Sequence, residues 1–288
     1  MKAIIFSRLA MAALVLFSAS AQAAVSCGIS SPGFFSVYDG LAAADNLNQS
    51  TFTITCSRVA TDPSTFNYIA YTNDGSYNNG PHNRAKIATS NNYLDYDFYI
   101  DSAYSVNWSK SNKCIIGVVN FGTSLSGTQT KTYYAKIPKA QTAIPQGTYI
   151  DTVVTSVAYN QSACQTNATA NLSTTFQVQI SNIPSCQIAL PPGTVAFTYT
   201  AFSATPATAS TTFAARCSST IPYTMALDAN VGVVSGLNYA LTLSARSATG
   251  NGALQNYSIN GTMAAGQAGS CASANCTATD RRTLTVTY

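Results

Sequence analysis

The chain has 288 residues, only 8% of them charged, with 14 Lys and Arg against 10 acids, one His and eight Cys. Every acid is Asp, and the scarcity of Glu, Lys and Arg excludes a helix-rich surface. It also leaves little for acid–base catalysis, and it provides no basic cluster for a nucleic acid.

In chain order, the first element is a leader. Lys2 and Arg8 precede an apolar run from Leu9 to Phe17, and small residues end in Ala21-Gln22-Ala23. That is the pattern of a signal peptide over 1–23, too short in its apolar part to span a bilayer. Without Lys2 and Arg8 the chain keeps twelve bases against ten acids, a balance of +2. An exported chain with eight Cys is expected to carry disulfides, and the lone His82 with widely spaced Cys argues against a metal site. No nucleophile elbow, phosphate loop or paired-carboxylate motif is present, so the sequence predicts neither an enzyme nor a cofactor. No later segment is apolar enough for a membrane span.

After Cys27 the chain reads as short strands between Gly, Asn and Ser turns. Seven are expected in the first half, at 33–38, 51–56, 66–72, 93–100, 131–137, 148–158 and 173–180. In 93–101, Leu94, Tyr96, Phe98 and Ile100 alternate with Asp95, Asp97, Tyr99 and Asp101. This is a half-buried strand whose acids are expected to form a solvated face rather than a cation site. Six strands are expected in the second half, at 194–199, 211–217, 222–227, 237–243, 255–260 and 282–288.

The halves repeat one another. Phe35-x-x-Tyr38 then Thr51-Phe52 lies between Cys27 and Cys56, and Phe197-x-Tyr199 then Thr212-Phe213 lies between Cys186 and Cys217. The expected fold is therefore all-β: two tandem immunoglobulin-like antiparallel sandwiches, 24–182 and 183–288, divided near Ile183-Pro184-Ser185. The first sandwich ends on a strand carrying Phe176, Val178 and Ile180, and the second has no counterpart after TLTVTY at 283–288. The second is thus expected to be incomplete, with unpaired backbone and exposed core that a strand from another chain would cover.

Three segments, GLNYALTLSA (236–245), NYSINGTMAAGQAG (256–269) and DRRTLTVTY (280–288), resemble the spore coat protein U-like domain of archaic, Csu-type chaperone–usher pili. Cys27, Cys56, Asn83-Arg84, LDYDFYID and GTYIDTVVTSVAY resemble it more loosely, and long polar segments at 57–92 and 109–130 depart from it. The resemblance implies export through the periplasm to the cell surface. It implies three protein partners: a periplasmic pilus chaperone that lends a strand, an outer-membrane usher, and an adjacent pilus subunit. Ordinary subunits carry a donor segment before their first Cys, whereas only Ala24, Val25 and Ser26 would stand there after cleavage. Such a subunit is expected to receive a strand and give none. It would sit at the pilus tip, with the first domain as an adhesin for biofilm formation on an abiotic or host surface. A lectin-like, carbohydrate-binding tip and a plain structural coat or fibre subunit are the competing readings.

Leu284, Val286 and Tyr288 alternate and are expected to line the strand-accepting groove, with Val195, Phe197 and Tyr199 on its other wall. Cys27–Cys56 and Cys186–Cys217 are expected to tie first to second strand in each domain, and Cys271–Cys276 to close a small loop. By elimination Cys114 pairs with Cys164, a bridge expected at the pole farthest from the second domain. Beside it, Ile115, Ile116, Val118, Val119 and Phe121 form an apolar run. Composition alone favours a short buried strand, while the position favours an exposed, adhesive finger. Tyr68, Tyr71 and Tyr77, in and beside the 59–80 loop, are a second adhesive candidate, suited to sugars.

Overall fold

The computed structural model describes residues 25–30, 33–273 and 275–288. The expected leader lies outside the described residues. Within them the chain forms strands, turns and loops, with no helix. It is all-β, in two tandem immunoglobulin-like domains.

Ten strands build the first domain: β1 (Ser26–Ile29), β2 (Phe34–Tyr38), β3 (Asn46–Ser57), β4 (Thr65–Thr72), β5 (Asn83–Ile87), β6 (Tyr93–Tyr99), β7 (Ile115–Asn120), β8 (Ser126–Ile137), β9 (Gly147–Tyr159) and β10 (Leu172–Asn182). One sheet runs β1-β3-β8-β6, and the facing sheet runs β2-β10-β9-β4-β7. β5 pairs both β6 and β9, joining the sheets along one side. The first strand is split. β1 pairs β3, then the chain crosses over and β2 pairs β10 in parallel, with Phe34 opposite Val178. All other strand pairs in the domain are antiparallel.

The period-2 pattern sets which side chains meet. Phe34, Phe52, Phe98, Tyr133 and Phe176 all point inward and are buried. Phe98 sits among them, 5.7 Å from Phe34, 5.4 Å from Tyr133 and 5.6 Å from Phe176. Trp108 comes from the β6–β7 connection, outside any strand. It stacks on Phe52 at 5.3 Å and donates its ring N–H to the Ala70 carbonyl at 2.8 Å, which satisfies its one polar atom in the core.

The second domain has eight strands: β11 (Cys186–Leu190), β12 (Ala207–Cys217), β13 (Pro222–Leu227), β14 (Val231–Val234), β15 (Leu237–Leu243), β16 (Ser247–Thr249), β17 (Leu254–Met263) and β18 (Leu284–Thr287). They form two sheets, β11-β12-β17-β15-β14 and β16-β13-β18. The expected strand at 194–199 is absent as a ladder. These residues run without β-pairing, Val195, Phe197 and Tyr199 half-buried and Ala196 and Thr198 exposed.

The four expected disulfides are present. Cys27–Cys56 and Cys186–Cys217 each join residues directly opposite in a strand pair, β1 with β3 and β11 with β12. The Asp row on β6 departs from expectation. Asp97 is 2% exposed, not solvated, because the turn before β5 covers it and brings His82 Nδ1 to 2.6 Å. Asp101 caps the following turn, accepting the Ser105 and Val106 amides.

Candidate strand-acceptor groove and contact surfaces

β18 is an edge. Its one strand partner among the described residues is β13, with Val286 opposite Met225 and Leu284 opposite Leu227. Leu284 and Val286 face the second core and are half-buried, while Thr285 and Thr287 are exposed. Tyr288 lies past the end of the strand and is 58% exposed. Opposite, Val195 and Phe197 fold onto Gly261 of β17, where a β-carbon would stand 2.4 Å from the Phe197 ring. Only glycine leaves room for them there. Tyr199 is held by its hydroxyl, which accepts the Gln267 amide at 2.8 Å.

The first domain fills the same place. There β9 occupies the position of β18, and β2 that of 194–199. Between them β10 pairs with both. In the second domain the two flanking elements are present, and among the described residues no strand lies between them. The cores differ accordingly. In the second domain Val195, Phe197, Tyr199, Leu284 and Val286 remain partly exposed, whereas Val178 and Ile180 of β10 are fully buried in the first.

A polar clamp fixes the chain entering β18. Tyr239 donates its hydroxyl to Asp280 at 2.5 Å, and Arg282 donates to the Tyr239 oxygen at 2.8 Å and to Asp280 at 2.6 Å. Burial raises the Tyr239 phenol above its ordinary value, and its bond to Asp280 adds to that. Gly232 makes room for the clamp: a β-carbon there would stand 2.1 Å from the Arg282 guanidinium. The link spans both sheets, because Tyr239 belongs to β15 and β18 to the other sheet.

In the first domain the 115–121 segment is a strand, not a projecting finger. Residues 115–120 are β7, paired with β4 so that Ile115 stands opposite Ala70 and Asn120 opposite Thr65. Ile115, Val119 and Phe121 point into the core, and only Ile116 and Val118 face out, 44% and 40% exposed. The sandwich has an open flank beside β4, and an alternating apolar run closes it. Tyr68 is likewise core, fully buried with its hydroxyl on Gln129 at 2.9 Å. Tyr71 is half-buried beneath the loop 160–171 and donates to the Ala168 carbonyl. Tyr77 alone of the three is exposed.

The Cys114–Cys164 bridge lies on a flank rather than at the outer pole. Cys114 precedes Ile115 and stands level with Tyr71, near the end of β4, and Cys164 folds back over the outer side of β4 and β9. Together they bury Ile69 and Ala158 in a small second core. The outer pole is built from the turns 58–64 and 121–125. Arg58 staples them, donating to the carbonyls of Asp62, Ser124 and Gly122 and lying over the Phe121 ring at 5.4 Å. Val59 and Leu125, 44% and 53% exposed, stand on that staple. Nothing in the sequence pattern marks these two, because their exposure comes from the turns Arg58 holds.

The sequence profile of the Spore Coat Protein U domain matches residues 13–156 and 172–255. The chain belongs to the Spore Coat Protein U domain family. The match covers more of the first half than the quoted motifs suggested, and it ends before DRRTLTVTY. No curated protein sequence matches this chain significantly. Among solved structures, the chain is similar to one in the CsuC–CsuE chaperone–tip adhesion subunit pre-assembly complex from archaic Csu pili of Acinetobacter baumannii. That match has 13% identity and a TM-score of 0.49, over 91% of this chain and 100% of the other. The CupB6 tip adhesin of Pseudomonas aeruginosa has 8% identity and a TM-score of 0.43, over 92% and 95%. The CooA pilin subunit of enterotoxigenic Escherichia coli has 9% identity and a TM-score of 0.34, over 55% and 98%. The chain is thus an all-β member of that family carrying four disulfides.

Proposed function

We propose that this Spore Coat Protein U family member is the tip adhesin of a chaperone–usher pilus. Its second domain is completed by a strand from the chaperone and then by one from the adjacent subunit, and the outer-membrane usher exchanges the two. The observation that carries this reading is the contrast between the domains. β10 joins β2 to β9 in the first, and the corresponding 194–199 segment and β18 have no strand between them in the second. A donated strand would pair with the free edge of β18 and cover Val195, Phe197, Leu284 and Val286.

The first domain, 24–182, is the adhesive part, and 183–288 is the assembly part. β10 already fills the groove of the first domain, so its outer pole is free for contact. The contact surface is apolar: Val59 and Leu125 on the Arg58 staple, with Ile116 and Val118 on the adjoining face of β7. Apolar side chains held on rigid turns suit attachment to abiotic or waxy host surfaces and the biofilm that follows.

The test is periplasmic expression of the full chain with and without the pilus chaperone, read by purification and native mass. A soluble 1:1 complex formed only with chaperone is the expected result. A stable, soluble monomer without chaperone would mean that the second sandwich closes itself, and the donor-strand reading would fall. Attachment of piliated cells to bare polystyrene, lost in the double variant Val59→Asp, Leu125→Asp, tests the adhesive surface separately.

A further inference from the structure

We propose that the outer face of β5 and β6 binds an acidic oligosaccharide, with Arg84 and Lys86 holding its anionic groups and the Tyr77 and Tyr93 rings carrying its sugar faces. This site lies on the flank of the first domain, apart from the outer pole and from the groove of the second, and it stands independently of the donor-strand reading.

The side chains are organised before any ligand arrives. Arg84 lies over the Tyr93 ring at 4.4 Å, and Lys86 lies 5.9 Å from both the Tyr77 and Tyr93 ring centres. The two rings are 5.9 Å apart and tilted by 58°, which gives a stepped aromatic platform. Arg84 is also fixed from behind, donating to the Tyr77 carbonyl at 2.8 Å and to that of Asn78 at 3.4 Å. The described residues hold two ion pairs, His82–Asp97 and Arg282–Asp280, and neither involves Arg84 or Lys86. Asp95, opposite Arg84 on the same face, supplies a carboxylate acceptor suited to sugar hydroxyls.

A rigid support explains why Tyr77 stands where it does. The loop 73–79 crosses over the sheet, and the buried Asp151 of β9 anchors it. Its carboxylate accepts the Ser76 amide at 2.9 Å and the Tyr96 hydroxyl at 2.8 Å. The Ser76 hydroxyl in turn donates to the Thr152 carbonyl at 3.2 Å. Gly75, at φ +72°, presses on that carboxylate, and a β-carbon there would stand 2.0 Å from its oxygen. A charged group kept inside a sandwich core is costly unless it is well bonded. Here it is bonded to the loop that presents Tyr77.

The cation-on-tyrosine arrangement recurs along β6, where Lys136 lies 5.0 Å from the Tyr99 ring centre and Tyr104 packs on Tyr99 at 5.7 Å. Tyr99 is only 5% exposed, so it packs within the face, and the ring surface open to a sugar is that of Tyr77 and Tyr93. Few cations spaced between tyrosines suit a glycan better than the dense charge of a nucleic acid.

The experiment is surface plasmon resonance on the full chain, used as its chaperone complex if that is the soluble form. The immobilised probes are polygalacturonate, heparin, dextran and duplex DNA. Binding to polygalacturonate or heparin that weakens with salt is expected, with none to dextran or DNA. Arg84→Gln and Tyr93→Ala should each lower affinity at least tenfold, as should Lys86→Gln, whose ammonium lies near the Tyr77 and Tyr93 rings. Unchanged melting of the Lys86→Gln protein would exclude a folding effect. Undiminished affinity in all three variants would overturn the assignment. So would equal binding to DNA, equal binding to dextran, or binding to none of the four probes.

Discussion

Val286 offers the sharpest check on the groove. It faces the second core half-buried, while its neighbours Thr285 and Thr287 face away. A strand laid along the free edge of β18 would bury the rest of Val286. Full burial of a valine stabilises by about 1.5–3 kcal/mol, so completing a half-buried one contributes about 1 kcal/mol. Val286→Ala should therefore weaken strand acceptance roughly fivefold. Val286→Asp places a carboxylate under the incoming strand, at a cost of several kcal/mol and a loss beyond about 100-fold. Thr285→Asp points the same charge outward and should stay within about 0.5 kcal/mol of the parent. The assay is co-purification with the chaperone, followed by competition with a synthetic donor-strand peptide. If Thr285→Asp is as damaging as Val286→Asp, the inward face of β18 is not what the incoming strand reads, and the reasoning fails.

Trp108→Ala should cost the first domain about 3–5 kcal/mol in denaturant unfolding, since it removes a buried ring and its hydrogen bond to the Ala70 carbonyl. A loss below about 1 kcal/mol would place Trp108 outside the core. Cys114→Ser with Cys164→Ser opens a 50-residue separation, worth about 4 kcal/mol by chain entropy. Amide exchange should rise first in the 160–171 loop and at Ile69, and uniform exchange across the domain would refute that local reading. Burial is the main force raising both Asp151 and Asp97 above the ordinary carboxylate value of 3.8. In the folded domain these two groups thus hold protons that the unfolded chain has released, so their contribution to stability is greatest at acid pH. It falls as pH rises from 3.8 through the raised values. Asp151→Asn should flatten that slope in melting temperatures taken across pH, and an unchanged slope would remove Asp151 from the account.

Much of this fold is legible in the residues because alternation is a local signal. Pro222–Leu227 and Leu237–Leu243 form strands with the boundaries their patterns mark, and the Cys27–Cys56 and Cys186–Cys217 frames give the repeat. What stayed hidden depends on neighbours distant in sequence. β5 sits in a long polar stretch and is a strand because an open edge of β9 pairs with it, whereas β7 is the short buried strand its apolar run favours. Residues 194–199 carry the same alternation as β2. They lack a ladder because the strand that pairs β2 belongs to the first domain alone. Asp97 alternates like a solvated residue and is buried by the turn that brings His82 over it. The groove walls could be named from pattern, whereas Val59 and Leu125 could not. Their exposure is decided by how Arg58 holds two turns some sixty residues apart in the chain.

The placement of Cys186–Cys217 has a mechanical consequence. A pull between the domains enters the second at Cys186, just after the segment where the Ile183 amide bonds to the Tyr38 carbonyl. The disulfide passes that tension straight to the end of β12, which is zipped to β17 from Ala207 through Arg216. The bonds of such a ladder share the load when its strands are pulled lengthwise, so they do not open one at a time. The 191–200 stretch hangs outside this line of force as a slack branch. The wall carrying Val195 and Phe197 would keep its shape while the joint beside it is under strain.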